Sequence, residues 1–155
     1  MKEIERKILL QLLKDGRRPV VKISKRVGAS RQTVAAKIRE LQESGVIESY
    51  DVRLNPEKLG LGTLAFVFLR ETTDEKLRKK EETTIKNIPQ VFAFHRLFGE
   101  YSSILEVRTR DNKELTRLVK RIHRLKGISE TKTFIVHSTL KDQPEEPFKK
   151  SLKSD

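Results

Sequence analysis

The sequence predicts an α+β protein in two parts, a helix-turn-helix followed by an antiparallel sheet with two helices. Residues 20–41 have the spacing of two short helices with a glycine at the turn between them. From residue 62 to residue 141 the pattern changes to strands and helices in the order βαββαβ. Positive charge is concentrated on the first part, because residues 14–39 contain nine basic side chains and one acidic side chain.

The first two helices of the N-terminal part are predicted from apolar spacing and turn residues. A helix over about residues 3–14 follows from Ile4, Ile8 and Leu12, which repeat at intervals of four. Pro19 suits the opening turn of the second helix, where the N–H group that it lacks would have no partner. Gly28 is placed to end that helix in the left-handed conformation.

A third helix is predicted to begin at Ser30 and to stop near residues 44–45. Ser30 stands at an N-cap position, and Val34 and Ile38 repeat at helical spacing behind it. The alternating segment 46–54 then predicts a strand. Such a strand either forms a wing beside the helices or links them to the next domain.

The second part is predicted as a sheet with both helices on one face, because each helix has a single apolar stripe to bury. The predicted strands cover 63–70, 91–98, 103–109 and 128–140, and the helices cover 74–87 and the segment from Asp111 or Asn112 to Gly127.

The domain boundaries follow from these elements. We expect a helix-turn-helix DNA-binding domain at 1–53 and a βαββαβ domain at 62–141. The linker 54–61 contains either a short turn of helix or only a loop. Residues 142–155 lack periodicity, and the sequence therefore predicts a mobile tail there.

Composition limits the classes of function. A net charge of +12 and a pI near 10.0 favour a polyanionic partner, with an ordinary basic protein as the plain alternative. The chain has no cysteine, which excludes disulfides and thiolate chemistry. No apolar run approaches the ~20 residues of a membrane span, and the charged start is unlike a signal peptide. We expect a cytoplasmic protein without a membrane partner.

The third helix supplies the candidate contacts to DNA, because the second helix of such a motif enters the major groove. Arg31 can donate two hydrogen bonds to guanine and Gln32 can pair similarly with adenine, whereas Arg39 suits either a base or a phosphate. The candidate base contacts are Arg31, Gln32, Ala35, Ala36 and Arg39, and the candidate backbone contacts are Lys22, Lys25, Ser30, Lys37 and Arg53.

An enzyme is not predicted. The histidines His95, His123 and His137 lack the spacing of metal ligands, and no phosphate-binding glycine loop or nucleophile motif is present. We therefore expect no catalytic residue, no metal site and no cofactor.

The order and spacing of several segments resemble the Lrp/AsnC family, the feast/famine transcription regulators. In the first part these segments are IERKILLQLLKDGR (4–17), ISKRVGAS (23–30), IRELQESGVIESY (38–50) and LNPEKLGL (54–61). In the second part they are FGEYSSILEV (98–107) and ETKTFIVHSTLKD (130–142). The resemblance implies a winged-type helix-turn-helix joined to a ferredoxin-like, ACT-like domain. The abundance of Lys, Arg and Glu without cysteine suits a thermophile, and an archaeal or thermophilic source is expected.

The family resemblance also implies partners besides double-stranded DNA. It implies homodimers formed by the C-terminal sheets, higher assemblies such as tetramers or octamers, and amino-acid effectors. The candidate effector loop is Gly99, Glu100, Tyr101 and Ser102. The sequence departs from the family at Ser102, where members that bind amino acids typically carry an acidic residue.

Three functions remain open from the sequence. The first is a sequence-specific transcription regulator that reads a pseudo-palindromic operator as a dimer. The second is a less specific architectural protein that wraps or compacts DNA. The third is an effector-binding or interaction module whose helix-turn-helix contacts only proteins.

Overall fold

The computed structural model describes residues 1–153. The chain forms two compact units. Unit 1 contains Met1–Arg53 together with the segment that begins at Lys141, and unit 2 contains Leu54–Leu140. None of the helices within the described range is long and apolar enough to cross a membrane.

Unit 1 contains the three predicted helices, which the structure confirms. Ile8, Ile23 and Val34, one from each helix, are fully buried and form the centre of its core. The helices are α1 (Glu3–Leu12), α2 (Val20–Val27) and α3 (Arg31–Glu43).

The predicted strand over residues 46–54 is wrong, since this segment has no regular secondary structure. Val52 and Leu54 are each 64% exposed. The described part of the chain offers this segment no hydrogen-bonded neighbouring strand, and an alternating pattern cannot form a ladder without one.

The prediction of a mobile tail is also wrong for residues 146–153, because Glu146–Lys153 form a sixth helix, α6. The tail belongs to unit 1, where α6 lies beside α1. The two helices and the segment 46–51 line an open cleft of about 820 Å³, to which Phe148 and Leu152 contribute apolar surface. Residues 154 and 155 of the predicted tail lie outside the described residues.

Unit 2 has the predicted βαββαβ order. Its four strands form one antiparallel sheet in the spatial order β2-β3-β1-β4. A short 3-10 helix, Glu57–Leu59, precedes the sheet, so the segment 54–61 contains a turn of helix. The elements are β1 (Thr63–Glu71), α4 (Glu75–Lys86), β2 (Val91–Arg96), β3 (Ser103–Thr109), α5 (Asn112–His123) and β4 (Ile128–Ile135).

The two faces of the sheet differ. One face packs against α4 and α5, and its core includes Val67 and Leu105 from the central strands and Ile122 from α5, all fully buried. Side chains alternate along a strand, so Phe68 lies on the opposite face. There the Phe68 ring centroid is 5.6 Å from that of Phe134, which is 49% exposed. The open face is therefore apolar and only partly covered.

The last strand is shorter than predicted. β4 ends at Ile135, which pairs with Ala65, and one further hydrogen bond joins the Val136 N–H to the Leu64 carbonyl. β1 begins at Thr63. The ladder ends because its partner strand ends, and residues 137–140 continue without regular structure.

Candidate nucleic-acid interface

The turn between α2 and α3 fixes the direction of α3. Gly28 adopts φ +70°, a left-handed conformation that a residue without a Cβ adopts at little cost. The N–H groups of Gly28 and Ala29 both donate to the Ser24 carbonyl, at 3.0 and 3.2 Å. Ser30 Oγ then accepts a 3.1 Å hydrogen bond from the Thr33 N–H, which makes Ser30 the N-cap of α3.

The side of α3 that faces away from the core carries all five candidate base contacts. Val34 and Leu41 are buried, and Ile38 between them packs against the core of unit 1, so these three positions mark the inner side of the helix. Arg31, Ala35 and Arg39 follow one another at intervals of four, which places the two guanidinium-bearing residues about 12 Å apart along the helix axis. The residues of this exposed face are Arg31, Gln32, Ala35, Ala36 and Arg39.

The polar side chains of this face are free to bind a ligand. Arg31, Gln32 and Arg39 make no salt bridge or side-chain hydrogen bond to any other residue in 1–153. No acidic residue occurs between Gly16 and Arg39, so no carboxylate of α2 or of the part of α3 up to Arg39 offsets their positive charge. An α-helix fits the major groove of DNA, and the unpaired basic and amide groups of this face can donate hydrogen bonds to base edges and phosphates.

Lys22 and Lys25 extend this surface onto α2. Both lysines are exposed and have no ion-pair partner within the described chain. Arg26, which the sequence interpretation omitted, is exposed one helical turn after Lys22, and its guanidinium lies 3.5 Å from Gln11 Oε1. The interval of four residues from Lys22 was the signal that could have identified Arg26.

Lys37 and Arg53 differ from the other candidates because each already has an acidic partner. The Lys37 ammonium bonds to Glu40 and lies 3.6 Å from Glu5, and its side chain is 19% exposed. The hydrogen bond that Lys37 donates to Glu40 raises the pKa of Lys37. Arg53 bonds to the carboxylate of Asp142 and donates a 3.0 Å hydrogen bond to its carbonyl. A phosphate would have to displace these carboxylates.

Ser102 has a structural role within the candidate effector loop. Its N–H donates to the Leu69 carbonyl at 2.9 Å, and its hydroxyl accepts a 3.0 Å hydrogen bond from the Glu71 N–H. Its carbonyl accepts from the Leu97 N–H at 2.8 Å. The N–H and the hydroxyl of Ser102 therefore tie the loop to the end of β1, and its carbonyl ties the loop to the residue that follows β2.

The rest of the loop contains a mixed charge cluster around Arg70. The guanidinium lies 3.2 Å from the Glu100 carboxylate and 3.3 Å from that of Glu130. It also lies over the Tyr101 ring, 5.4 Å from the centroid, while the Tyr101 hydroxyl donates to Glu130 at 3.4 Å. Gly99 begins the turn with φ +150°. The cluster offers both a cation and carboxylates within a few ångströms.

The histidines are not gathered at a site. His95 lies 3.5 Å from Glu106 on the sheet, and His123 lies 3.3 Å from the Thr131 hydroxyl. His137 follows β4 and is exposed. Among residues 1–153, no group of three His, Cys, Asp or Glu side chains is arranged to hold a metal ion.

Comparison with protein families gives a match for each unit. Residues 64–146, more than half of the chain, match the model described as the Lrp/AsnC ligand binding domain. Residues 1–48 match the model described as winged helix-turn-helix DNA-binding.

Several curated proteins are similar over nearly their whole length. The HTH-type transcriptional regulator FL11 of Pyrococcus horikoshii is 33% identical, over 95% of this chain and 96% of that protein. The proline dehydrogenase transcriptional activator of Rhizobium radiobacter is 34% identical, over 88% of each. The Pyrococcus relatives support an archaeal source.

Solved structures share the architecture. An AsnC family transcriptional regulator from Agrobacterium tumefaciens aligns with a TM-score of 0.88 and 26% identity, over 96% of this chain and 97% of the other. A Neisseria meningitidis transcriptional regulator, solved in complex with L-Met, aligns with a TM-score of 0.89 and 22% identity, over 96% and 99%. At 22% identity the second likeness concerns the fold alone.

Proposed function

Because the chain belongs to the Lrp/AsnC family of DNA-binding transcription regulators, we propose that α3 is the helix that reads its operator. Arg31 and Gln32 hydrogen-bond to base edges in the major groove, and Arg39 binds a base or a phosphate. Ala35 and Ala36 let the helix approach closely and contact thymine methyl groups. The exposed, unpaired side chains of Arg31, Gln32 and Arg39 carry this proposal.

The proposed contacts to the DNA backbone differ in whether the side chain already has an acidic partner within the protein. Lys22 and Lys25 bind phosphates directly, and the start of α3 at Ser30 directs main-chain N–H groups toward a phosphate. Lys37 and Arg53 are secondary positions, because each must first release the carboxylate of an acidic neighbour.

The proposed assembly is a homodimer formed through the open face of the sheet. The open face carries the residues of β1 that alternate with its core residues, namely Leu64, Phe66 and Phe68. Phe134 of β4 lies on the same face and is 49% exposed. A second copy would cover this apolar surface, and a two-fold axis would present two α3 helices to a pseudo-palindromic site. Tetramers or octamers would extend the same arrangement.

The proposed effector is a small molecule with both charges, such as an amino acid, bound beside the loop 99–102. Arg70 suits a carboxylate, and Glu100 and Glu130 suit an ammonium group. Both acids are paired with Arg70 in this structure, so an effector would exchange these pairs. The proposed role on operator DNA involves no catalytic step and places the protein in the cytoplasm.

The proposed reading helix is tested by selecting binding sites from random-sequence duplexes with the full-length protein. The selected site is then titrated beside a shuffled duplex at constant salt. The wild type should prefer the selected site by about a thousandfold or more, as specific recognition requires. The Arg31→Ala/Gln32→Ala variant should lose about tenfold or more of that preference, because each base contact contributes about 1–3 kcal/mol of discrimination.

The control is Lys58→Ala/Gln143→Ala, which likewise removes one basic side chain and one glutamine, from exposed positions outside α3. This control should keep the wild-type preference. Equal loss in both variants would show that α3 does not read the bases. Selection that recovers no enriched site, with binding that only falls with salt, would favour the architectural alternative.

A further inference from the structure

We propose that the helix-covered side of unit 2 is a second binding surface for the backbone of duplex DNA. The helix layer consists of α4, α5 and the turn that follows α5, residues 75–86 and 112–126. The proposal rests on the DNA-binding function of α3 and adds a separate contact that reads no sequence.

The net positive charge of unit 2 is confined to this layer. The helix layer carries eleven basic and four acidic residues, a net charge of +7. The rest of unit 2 carries six basic and seven acidic residues, a net charge of −1. One side of the unit is therefore strongly positive, and the remainder is nearly neutral.

Three of the four acidic residues of the layer are buried or bonded to residues outside it, and the fourth, Glu75, is exposed beside Arg78. Glu81 is buried, and Glu82 bonds to Arg96. Glu114 accepts hydrogen bonds from the N–H of Arg110 and from the side chain of Gln90, at 2.9 and 3.0 Å. These bonds lower the pKa of Glu114 to about 2.

Most basic residues of the layer, in contrast to its acidic residues, are exposed and have no ion-pair partner within residues 1–153. Arg78 is the exception, since its guanidinium lies between Glu75 and Glu82. The other ten are exposed, and within residues 1–153 none of them has a salt bridge or a side-chain hydrogen bond. They are Lys76, Lys79, Lys80, Lys86, Lys113, Arg117, Lys120, Arg121, Arg124 and Lys126.

The spacing of these cations suits a regular polyanion. One row about 16 Å long follows α5 to its C-cap, at intervals of three or four residues. It consists of Lys113, Arg117, Lys120 and the C-cap residue Arg124. Duplex DNA carries one charge per about 1.7 Å of axis, so such a row spans several phosphates. Long, flexible lysine and arginine side chains match phosphates without requiring a particular sequence.

The composition of the layer favours a duplex over a single strand. Proteins that bind single-stranded nucleic acid stack its bases on aromatic side chains. Neither α4 nor α5 contains Phe, Tyr or Trp. A surface with many cations and no stacking platform recognises the phosphate backbone, which a duplex presents in a continuous array.

The experiment compares two lysine variants of the full-length protein on two lengths of DNA. The layer variant is Lys113→Gln/Lys120→Gln/Lys126→Gln. The control variant Lys58→Gln/Lys141→Gln/Lys153→Gln removes the same charge from exposed lysines outside the layer. The short duplex has about 20 base pairs, enough for the two α3 helices of a dimer. The long duplex has about 100 base pairs and carries the same site at its centre.

The layer variant should bind the short duplex like the wild type and the long duplex more weakly. Its plot of log affinity against log salt on the long duplex should be shallower by about 2–3, near 0.9 for each lost phosphate contact. The control should keep the wild-type slope. A second variant on the other helix, Lys76→Gln/Lys79→Gln/Lys80→Gln, should behave as the layer variant does.

Other outcomes overturn the proposal in distinguishable ways. Wild-type slopes in both layer variants would overturn this inference alone, provided that the wild type binds the short duplex through Arg31 and Gln32. Equal losses of affinity for the long duplex in the layer and control variants would show that the effect comes from the net charge of the protein and not from this surface. Stronger competition by single-stranded RNA than by duplex DNA of equal length would assign the surface to RNA. Binding of neither duplex by the wild type would overturn the proposed function as well.

Discussion

Replacing Gly28 by alanine should destabilise unit 1 through the backbone alone. An added Cβ would meet no atom within 4 Å, so no collision contributes. The left-handed conformation, φ +70° here, costs a residue with a Cβ about 1–2 kcal/mol. Alanine also restricts the unfolded chain, which offsets about 0.4–1 kcal/mol. The midpoints of the two ranges leave an expected net loss of about 0.8 kcal/mol, or several degrees in Tm for a unit of this size.

The matched control is Gly62→Ala. Gly62 likewise has open space around a Cβ position, and its φ is not positive. Thermal unfolding followed by circular dichroism gives the Tm of each variant, and hydrogen exchange of peptides from residues 20–44 locates the change. Gly28→Ala should lower the Tm and Gly62→Ala should leave it unchanged or slightly raised. Equal effects of the two substitutions, or no effect of Gly28→Ala, would refute the backbone argument.

Two further outcomes are expected in unit 2. Ile122→Ala removes a fully buried side chain and should lower the free energy of unfolding by denaturant by about 2–5 kcal/mol. The control Leu140→Ala, at a position 96% exposed, should change it by less than about 0.5 kcal/mol. Equal losses in the two variants would contradict the assigned core. The folded pKa of Glu114 is lowered to about 2 from 4.5, so its contribution to stability is present above the unfolded value and is lost as pH falls toward 2. A carboxylate titration followed by NMR should show this pKa, and Gln90→Ala should raise it; an unchanged value would show that the Gln90 bond does not stabilise the carboxylate.

Most of the fold could be predicted because its signals are local. Gly28 followed by Ser30 specifies a helix end and a helix start within three residues, and the structure has both there. In unit 2 the strand β1 was predicted nearly to the residue. The start of α5 was predicted too, but the helix ends at His123, before the predicted end at Gly127. The exposed face of α3 follows from the same periodicity, because its buried positions define the opposite side.

The errors occurred where structure depends on distant partners. The segment 46–54 has a strand-like alternation, yet the described chain provides no neighbour to pair with it. Residues 146–153 offer only Phe148 and Leu152 as an apolar pair, and the helix that they form lies beside α1, more than a hundred residues earlier. No local pattern in the tail indicates that contact.

The distribution of charge over the surface of unit 2 also could not be predicted from the sequence. By sequence count, residues 14–39 carry a net charge of +8 and residues 61–141 carry +7, although the second excess is spread over a mixed pattern. That mixture indicated a solvated face. The structure separates the two signs, because acids such as Glu81 and Glu114 point into the fold or accept internal hydrogen bonds. Apart from Arg78, the lysines and arginines of the helix layer are exposed and unpaired within residues 1–153. A mixed sequence can therefore produce a surface of one sign, and the direction of each side chain decides whether it does.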